Sequence, residues 1–347
     1  MIALTAMAPG KAEYKEVNKP VATGNMLLVK VKKAGICATD FSIYSGESSF
    51  VKSGQIKYPV RFGHEWAGVV ESVGEDVKHF KPGDRVFSDS GISCGECDEC
   101  KKENYGKCKN CRSVGTINAW DGCFAEYMLI PEFNAYHLPE NVSLEEAALI
   151  EPAAISLDAF SGFEVTSDMT IAVIGIGAIG MSAIWLAKYF GAKKVIAIGR
   201  NDNKLAVAAK IGADVVINNT KTACEEAVLE ETDGKGADLV IETSGSETAL
   251  VSAIKMTRAH GRISIVSFYE KDINGIPMDS VVINCITVKG AAGSYGNPPR
   301  VAEIMANYKT KLTPIITHKV SFDKCLDVFE NKGDFTKDRV KVLIDFD

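Results

Sequence analysis

Ile171-Ala172-Val173-Ile174-Gly175-Ile176-Gly177-Ala178-Ile179-Gly180 is the stretch that decides how the second half of the chain folds. Its apolar start is typical of a buried strand, and the apolar run from Ala178 to Tyr189 predicts a helix directly after it. Glycines spaced G-x-G-x-x-G between strand and helix permit a tight turn and let a pyrophosphate approach the backbone at the helix N-terminus. A glycine-rich turn without a ligand is the alternative. The predicted cofactor-binding residues here are Gly175, Gly177, Ala178, Ile179 and Gly180.

Strands and helices alternate through the rest of that half. Val195 to Ile198 and Leu239 to Ile241 are typical of buried strands, and Asn203 to Ile211 has helical periodicity. Alternation of this kind predicts parallel βαβ units in a doubly wound sheet. Earlier in the chain, short apolar runs broken by turns predict a β-rich domain. We therefore expect an α/β protein of two domains, with residues 151–290 forming the doubly wound domain and residues 1–150 and 291–347 forming the β-rich one.

The strand after the glycine-rich turn ends without an acid. Val195-Ile196-Ala197-Ile198 leads into Gly199-Arg200, with Lys204 close behind, whereas an Asp or Glu at this point binds the free ribose hydroxyls of NAD(H). An arginine instead offers two hydrogen bonds to a 2′-phosphate. The sequence therefore predicts NADP(H) rather than NAD(H), bound by Gly199, Arg200 and Lys204. Arg200 as a solvated surface charge is the alternative.

Four cysteines have the spacing of a metal site. Cys94, Cys97 and Cys100 are each separated by two residues, and Cys108 follows on the next loop. Four thiolates on short loops form a closed tetrahedral zinc site, which is structural because no coordination position stays open. The predicted lobe spans about residues 90–112. Cys111 is an alternative fourth ligand, and Cys123 is surplus.

A second metal site is predicted from residues that lie far apart in the chain. Gly63-His64-Glu65-Trp66 places an imidazole beside a carboxylate, Cys37 lies upstream and Glu151 lies downstream. Alone, a histidine near a strand is more often structural, but thiolate, imidazole and carboxylate together are what a catalytic zinc binds while one position stays open. Thr39 is a candidate proton relay, or a hydroxyl that satisfies local backbone. The candidate ligands are Cys37, His64 and Glu65, with Glu151 as an exchangeable or water-mediated one.

Composition excludes several classes of function. A chain of 347 residues exceeds one ordinary core, and its net charge of -6 argues against non-specific nucleic-acid binding. No long apolar run is free of charges, and Met1 to Lys15 lacks the pattern of a signal peptide. The chain has 10 cysteines, and the metal-like spacing among them favours reduced thiols. We therefore expect a cytoplasmic protein.

The motifs together resemble those of the zinc-dependent medium-chain dehydrogenase/reductase family along nearly the whole chain. Gly63 to Val70 resembles the family's zinc signature, and Val77 to Val86 resembles the turn and strand that follow it. Cys94 to Cys108 resembles its structural-zinc lobe, and Gly122 to Tyr127 resembles its Gly-Gly-Phe-Ala-Glu-Tyr segment. The resemblance implies a GroES-like catalytic domain to which the C-terminal segment returns, a Rossmann domain, and a homodimer or homotetramer.

Within the family, Glu65 and Glu151 look like the polyol and threonine dehydrogenase branch. The residues resemble those of sorbitol, galactitol-phosphate, arabinitol-phosphate and sugar-acid dehydrogenases. One departure concerns Ser42, because sorbitol and threonine dehydrogenases usually have a histidine there, five residues after the zinc cysteine. A histidine-based proton relay is therefore not expected.

We predict an enzyme with two zinc ions that transfers hydride between a secondary alcohol of a polyol, polyol phosphate or sugar acid and NADP(H). A threonine-type, NAD-dependent dehydrogenase, a non-catalytic nucleotide-binding relative and a quinone or enoyl reductase are the alternatives. A phosphate on the substrate needs a cation near the cleft, and the candidates by sequence proximity are Lys57, Arg61 and Arg112.

Overall fold

A computed structural model of the chain describes residues 1–102, 104–291, 293 and 295–346. The chain divides into two compact units. Unit 1 comprises Met1–Glu151, Ser294–Asn307 and His318–Asp347, and unit 2 comprises Pro152–Gly293 and Tyr308–Thr317. This division differs from the expected one at Tyr308–Thr317, which lies in unit 2 although the sequence assigned 291–347 to the β-rich domain. One contact in that segment is the indole of Trp185, which donates a hydrogen bond to the carbonyl of Thr310 at 2.7 Å.

Unit 1 is rich in short strands. Its elements are β1 (Ile2–Ala8), β2 (Lys11–Glu16), β3 (Met26–Ile36), α1 (Ala38–Ser45), α2 (Ser49–Lys52), β4 (Val60–Arg61), β5 (Glu65–Val73), β6 (Arg85–Ser88), β7 (Gly91–Ile92), α3 (Asp98–Lys101), β8 (Arg112–Ser113), β9 (Tyr127–Pro131), β10 (Ala135–His137), α4 (Leu144–Ala147) and the start of α5 (Ile150–Asp158).

The strands of unit 1 form a sheet in the order β10-β6-β5-β3, with β9 also pairing with β3, and a three-stranded sheet in the order β2-β1-β4. Buried aliphatic residues alternate with lysines only from Val29 to Lys32, where one face of β3 packs into the core, and residues 27–28 and 34–36 on either side are buried throughout. The expectation of a β-rich, GroES-like domain is confirmed.

Unit 2 contains a parallel sheet. Its elements are β11 (Thr170–Ile174), α6 (Ala178–Tyr189), β12 (Lys194–Gly199), α7 (Asp202–Ile211), β13 (Val215–Asn218), α8 (Cys224–Glu231), β14 (Ala237–Glu242), α9 (Glu247–Met256), β15 (Thr257–Ile265), α10 (Met278–Ile283) and β16 (Thr287–Gly290). The strand order β13-β12-β11-β14-β15-β16 reverses between β11 and β14, as in a doubly wound fold. The predicted Rossmann-type sheet is therefore confirmed.

The last segments return to unit 1. They are α11 (Pro298–Asn307), β17 (Ile316–Ser321), α12 (Cys325–Phe329) and β18 (Lys341–Asp345). β18 lies between β17 and β3 and pairs antiparallel with β3, so that Val342 faces Ile36. This pairing brings the C-terminal strand beside the end of β3, directly before Cys37. Within the described residues, no helix is long and apolar enough to cross a membrane.

Candidate metal centre and cofactor cleft

Cys37 is held at the junction of β3 and α1. Its backbone N–H donates a hydrogen bond to the Oδ2 atom of Asp40 at 2.8 Å. Cys37 is the N-cap of α1 and Asp40 its third residue, so this bond is the carboxylate half of a capping box. The Cys37 Sγ atom lies 3.6 Å from the Thr39 hydroxyl. The Ser42 hydroxyl donates to the Thr39 carbonyl at 2.9 Å, so Ser42 satisfies local backbone. The thiol and the Thr39 hydroxyl therefore lie side by side at the helix start.

Asp40 also fixes His64. Its Oδ1 atom accepts a hydrogen bond from the N–H of Gly63 at 3.2 Å and lies 3.6 Å from the Nδ1 atom of His64. Gly63 has φ +93, and a side chain there would collide with the ring of Phe124, so only glycine fits. Burial alone lowers the pKa of His64, but the charges of Asp40 and Cys37 raise it above its ordinary value. A carboxylate at one ring nitrogen orients a histidine that binds a metal through the other.

Glu65 has a partner that the sequence analysis missed. Lys341, at the start of β18, places its Nζ atom 2.6 Å from both carboxylate oxygens of Glu65 and 3.1 Å from the carbonyl of Ile36. The side chains are 2% and 1% exposed. Burial lowers the pKa of Lys341, but Glu65 opposes this and raises it overall. The lysine therefore fixes the Glu65 carboxylate beside His64.

The ligand atoms of Cys37, His64 and Glu65 all lie within 4.8 Å of one another, and we call this group the open cluster. Zinc binds such sulfur, nitrogen and oxygen donors at about 2.0–2.3 Å, so three donors around one ion are separated by less than 4.8 Å. Donor chemistry and spacing therefore fit a zinc ion.

Glu151 lies outside the open cluster but close enough to interact with it electrostatically. It is buried at the start of α5, and burial raises its pKa to about 7. The charges of His64 and Lys341 oppose this shift, and that of Glu65 adds to it. A carboxylate that is protonated near neutral pH changes charge easily, which suits an exchangeable ligand.

Replacing Glu151 by Gln is expected to flatten the pH dependence of stability in the metal-free protein. The folded-state pKa of about 7 exceeds the ordinary 4.5, so wild-type stability is full below 4.5 and declines as pH rises towards 7. The difference corresponds to about 3 kcal/mol. Urea unfolding of chelator-treated protein at pH 4.5, 6 and 8 measures it. Parallel profiles of Glu151→Gln and wild type would contradict the shift.

The other four cysteines form a closed group, the four-cysteine lobe. The Sγ atoms of Cys97 and Cys100 lie 3.5 Å apart, and those of Cys94 and Cys108 also lie 3.5 Å apart. The Sγ atoms of Cys94 and Cys100 lie 3.9 Å apart, and so do those of Cys97 and Cys108. A tetrahedral zinc with bonds of about 2.3 Å requires sulfurs about 3.8 Å apart, so the lobe fits zinc. Cys111 lies outside the group, and its Sγ atom donates to the carbonyl of Arg112.

Protons and a metal compete for these thiols. The N–H groups of Glu96 and Cys97 lower the pKa of Cys94 to about 6. Burial instead raises the pKa of Cys100 to about 12. Zinc binding therefore requires deprotonation of Cys100, and the affinity of the lobe for zinc increases with pH.

A cavity of about 610 Å³ in unit 2 lies at the carboxyl ends of β11 and β12. Gly175 has φ +97, a side chain on Gly180 would lie 1.8 Å from the Gly175 carbonyl, and a side chain on Gly177 would meet nothing within 4 Å. Gly175 is thus required by its positive φ and Gly180 by packing. Gly177 leaves room for a ligand at the start of α6. Arg200 and Lys204 line the cavity with Gly199, as the sequence suggested.

Thr243 was not identified from the sequence. Its hydroxyl lies 2.9 Å from the carbonyl of Ile174 and 3.0 Å from that of Gly175, and thereby fixes the glycine-rich turn. Thr243 comes directly after β14, where the strand order reverses, and only the fold brings it to the turn. One acid, Glu225, also lines the cavity and accepts a hydrogen bond from Ser252 at 2.7 Å.

Comparison with known proteins gives the family. Residues 23–140 match the alcohol dehydrogenase GroES-like domain, and residues 178–309 match the zinc-binding dehydrogenase domain. L-threonine 3-dehydrogenase of Vibrio vulnificus (strain YJ016) is 32% identical over 92% of both chains. Sorbitol dehydrogenase of Bacillus subtilis (strain 168) is 31% identical over 92% of this chain and 89% of its own.

A solved structure extends the comparison to the whole chain. It is that of a protein from Sinorhizobium meliloti 1021 named as a zinc-binding dehydrogenase and bound to NADP; it has a TM-score of 0.90, 28% identity and 99% coverage of both chains. The resemblance inferred from the motifs is therefore confirmed. The chain belongs to the zinc-dependent medium-chain dehydrogenase/reductase family and is an NAD(P)-dependent alcohol dehydrogenase.

Proposed function

We propose that this dehydrogenase oxidises a secondary alcohol of a polyol, polyol phosphate or sugar acid with NADP as hydride acceptor. The observation that carries the proposal is the open cluster, in which a thiol, an imidazole and a carboxylate converge beside the Thr39 hydroxyl. Cys37, His64 and Glu65, with Glu151 as an exchangeable ligand, would hold a zinc ion there, and such an ion would supply Lewis-acid activation of the substrate hydroxyl.

The chain's own residues hold these groups in place. Asp40 orients His64 and the Cys37 backbone, and Lys341 fixes the Glu65 carboxylate. Thr39 is placed to accept the proton of the substrate hydroxyl, since its own hydroxyl lies 3.6 Å from Cys37 Sγ. Thr39 would pass its own proton on as it accepts this one, and position 42 offers no histidine to take it, since Ser42 stands there and donates to the Thr39 carbonyl. We also propose that the four-cysteine lobe holds a second, structural zinc.

NADP is the proposed cofactor because Arg200 and Lys204 line the cavity where β12 ends. Arg200 is exposed, and in the part of the chain that the structure describes its guanidinium has no hydrogen bond or ion pair. It is therefore available for a 2′-phosphate. The NADP bound to the Sinorhizobium meliloti relative supports the same choice.

L-threonine is the second candidate substrate. The observation in its favour is the similarity to L-threonine 3-dehydrogenase of Vibrio vulnificus over 92% of the chain. The serine at position 42 does not discriminate between the two candidates, because sorbitol and threonine dehydrogenases both usually have a histidine there. Similarity to sorbitol dehydrogenase over the same share of the chain supports the polyol.

Self-association is part of the proposal. Apolar side chains are exposed on α10 and on the adjoining edge strand β16, including Val282 at 71% and Ile283 at 78%. Exposed apolar patches next to an unpaired strand edge favour a contact between copies. We infer a homodimer or homotetramer. The cytoplasmic location stays a prediction.

The test is reduced-cofactor formation with NADP or NAD over sugar alcohols, their phosphates, sugar acids and L-threonine. Turnover of a polyol or its derivative with NADP is expected.

Arg200→Met is expected to lower kcat/KM for NADP about 10- to 100-fold, because hydrogen bonds to a charged group are lost, with little change for NAD. Lys210→Met removes a positive charge in the last turn of α7, outside the cavity, and is the charge-matched control. Turnover of threonine alone would replace the polyol, and equal use of both cofactors by wild type would make Arg200 a surface residue.

A further inference from the structure

Lys57, Arg61 and Arg112 are the basic residues that the sequence suggested for a substrate phosphate. Each of them is either bonded to other residues of the chain or exposed at the surface. Arg61 forms an ion pair with Asp121 at 3.2 Å. Arg112 donates to the carbonyls of Asn118 and Ala119 and stacks on Trp120. Lys57 is exposed at the surface of unit 1. The Nε atom of Arg61 is also buried without a hydrogen-bond partner, but the charge of its guanidinium is paired with Asp121. None of the three is therefore both held in place and without an ion pair or hydrogen bond.

Arg339 differs from them. Its guanidinium carbon lies 4.1 Å from the centroid of the Phe41 ring, and its Nη1 atom is buried without a hydrogen-bond partner. Across residues 1–102, 104–291, 293 and 295–346, Arg339 forms no ion pair. Burial lowers its pKa, and no nearby carboxylate offsets this effect. An arginine nevertheless stays charged in proteins, so a donor is left without an acceptor.

The position of Arg339 relates it to the open cluster. Phe41 follows Cys37 by one turn of α1, which separates their Cα atoms by about 6 Å. Arg339 precedes Lys341 by two residues, a span of at most about 7 Å, and Lys341 contacts Glu65. The guanidinium is thus bracketed by two elements that carry members of the cluster or its partner. The backbone of Arg339 therefore lies within about 7 Å of the residue that holds Glu65, and its ring partner lies one helical turn from Cys37.

We propose that Arg339 binds an anionic oxygen group, a phosphate or a carboxylate, carried by the substrate. The proposal rests on the proposed function, because it names the substrate class of the same site. The Phe41 ring holds the cation but supplies no oxygen acceptor, so the guanidinium N–H groups that stay accessible can bind the oxygens of an anion. Polyol phosphates, sugar acids and the zwitterion of L-threonine have such a group, and neutral sugar alcohols lack it.

The test compares galactitol with galactitol 1-phosphate, and adds gluconate and L-threonine as carboxylates. Arg339→Met keeps the packing on Phe41 and removes the charge. It is expected to lower kcat/KM for the preferred anionic substrate about 10- to 100-fold, mainly through KM, and to leave galactitol oxidation nearly unchanged. Arg339→Lys is expected to restore part of the loss. Arg112→Met removes a stacked arginine whose bonds are satisfied and is the matched control.

The substrates also separate the two sources of the anion. A loss confined to galactitol 1-phosphate assigns Arg339 to a phosphate, and a loss confined to gluconate or threonine assigns it to a carboxylate. An equal loss on galactitol and on all charged substrates, or no loss on any, would overturn the proposal while leaving the proposed function intact. If no alcohol in the panel is oxidised, the proposed function fails.

If no alcohol in the panel is oxidised, a binding measurement still tests the role of Arg339. Inorganic phosphate is titrated calorimetrically into zinc-loaded protein saturated with nicotinamide cofactor, so that the phosphate positions of the cofactor are filled. Wild type and Arg112→Met are expected to bind phosphate, and Arg339→Met is expected to bind at least about tenfold more weakly. Absence of binding to wild type, or equal binding to all three proteins, would overturn the proposal. Thermal melting of each variant checks that it is folded.

Discussion

Replacing Cys37 by Ser is expected to lower kcat/KM for alcohol oxidation about 1,000-fold or more. The thiolate is one of three donors in the open cluster, and without it the site loses its softest ligand and most of its affinity for zinc. Lewis-acid activation of the substrate hydroxyl lowers the activation barrier by several kcal/mol, and each 1.36 kcal/mol changes the rate about tenfold. Activity and zinc content are measured on the same protein.

Cys285→Ser is the matched control, because Cys285 is exposed and belongs to neither cysteine group. It is expected to keep two zinc ions per chain and wild-type activity, while Cys37→Ser keeps one zinc and loses activity. Full activity with full metal content in Cys37→Ser would remove Cys37 from the proposed mechanism.

Replacing Lys341 by Met is expected to destabilise the protein by about 3–5 kcal/mol, because it leaves the Glu65 carboxylate buried and unpaired. Both side chains are almost inaccessible, and both carboxylate oxygens are within 2.6 Å of the lysine. Methionine is similar in length, so the loss of charge dominates over the loss of packing. Urea unfolding at pH 7 measures the effect, and activity is expected to fall with it because Glu65 loses its fixed position.

Two further variants isolate the charge pair. Lys341→Met combined with Glu65→Gln is expected to recover much of the lost stability, since no unpaired charge remains. Lys319→Met breaks an exposed pair with Glu145 and is expected to cost no more than about 1 kcal/mol. A Lys341→Met protein as stable as wild type would show that Glu65 is protonated or hydrated in the fold.

Local patterns account for what could be predicted from the sequence. The glycine-rich turn and the four cysteines each lie within a short stretch whose chemistry requires that spacing, so they indicated the dinucleotide turn and the metal lobe directly. The strand and helix alternation likewise predicted the parallel sheet. The open cluster was found because its residue types are rare in combination, although Cys37 comes well before His64 and Glu65 in the chain.

Long-range pairing accounts for what was missed. Lys341 lies 276 residues from Glu65 and resembles any other lysine near a strand, and only the pairing of β18 with β3 brings the two together. Thr243 reaches the glycine-rich turn through the neighbouring strand of the sheet. Arg339 depends on the packing of the segment before β18 against α1. In each case the partner is set by tertiary contacts that leave no periodicity in the sequence.

The most direct measurement is stepwise removal of zinc, with zinc content and reduced-cofactor formation followed on the same samples. The open cluster has three chain donors and the four-cysteine lobe has four, so the first ion to leave is expected to come from the open cluster. We predict that activity falls in proportion to that first ion and returns when zinc is added back. Full activity in protein that contains no metal would contradict zinc-dependent alcohol oxidation at Cys37, His64 and Glu65.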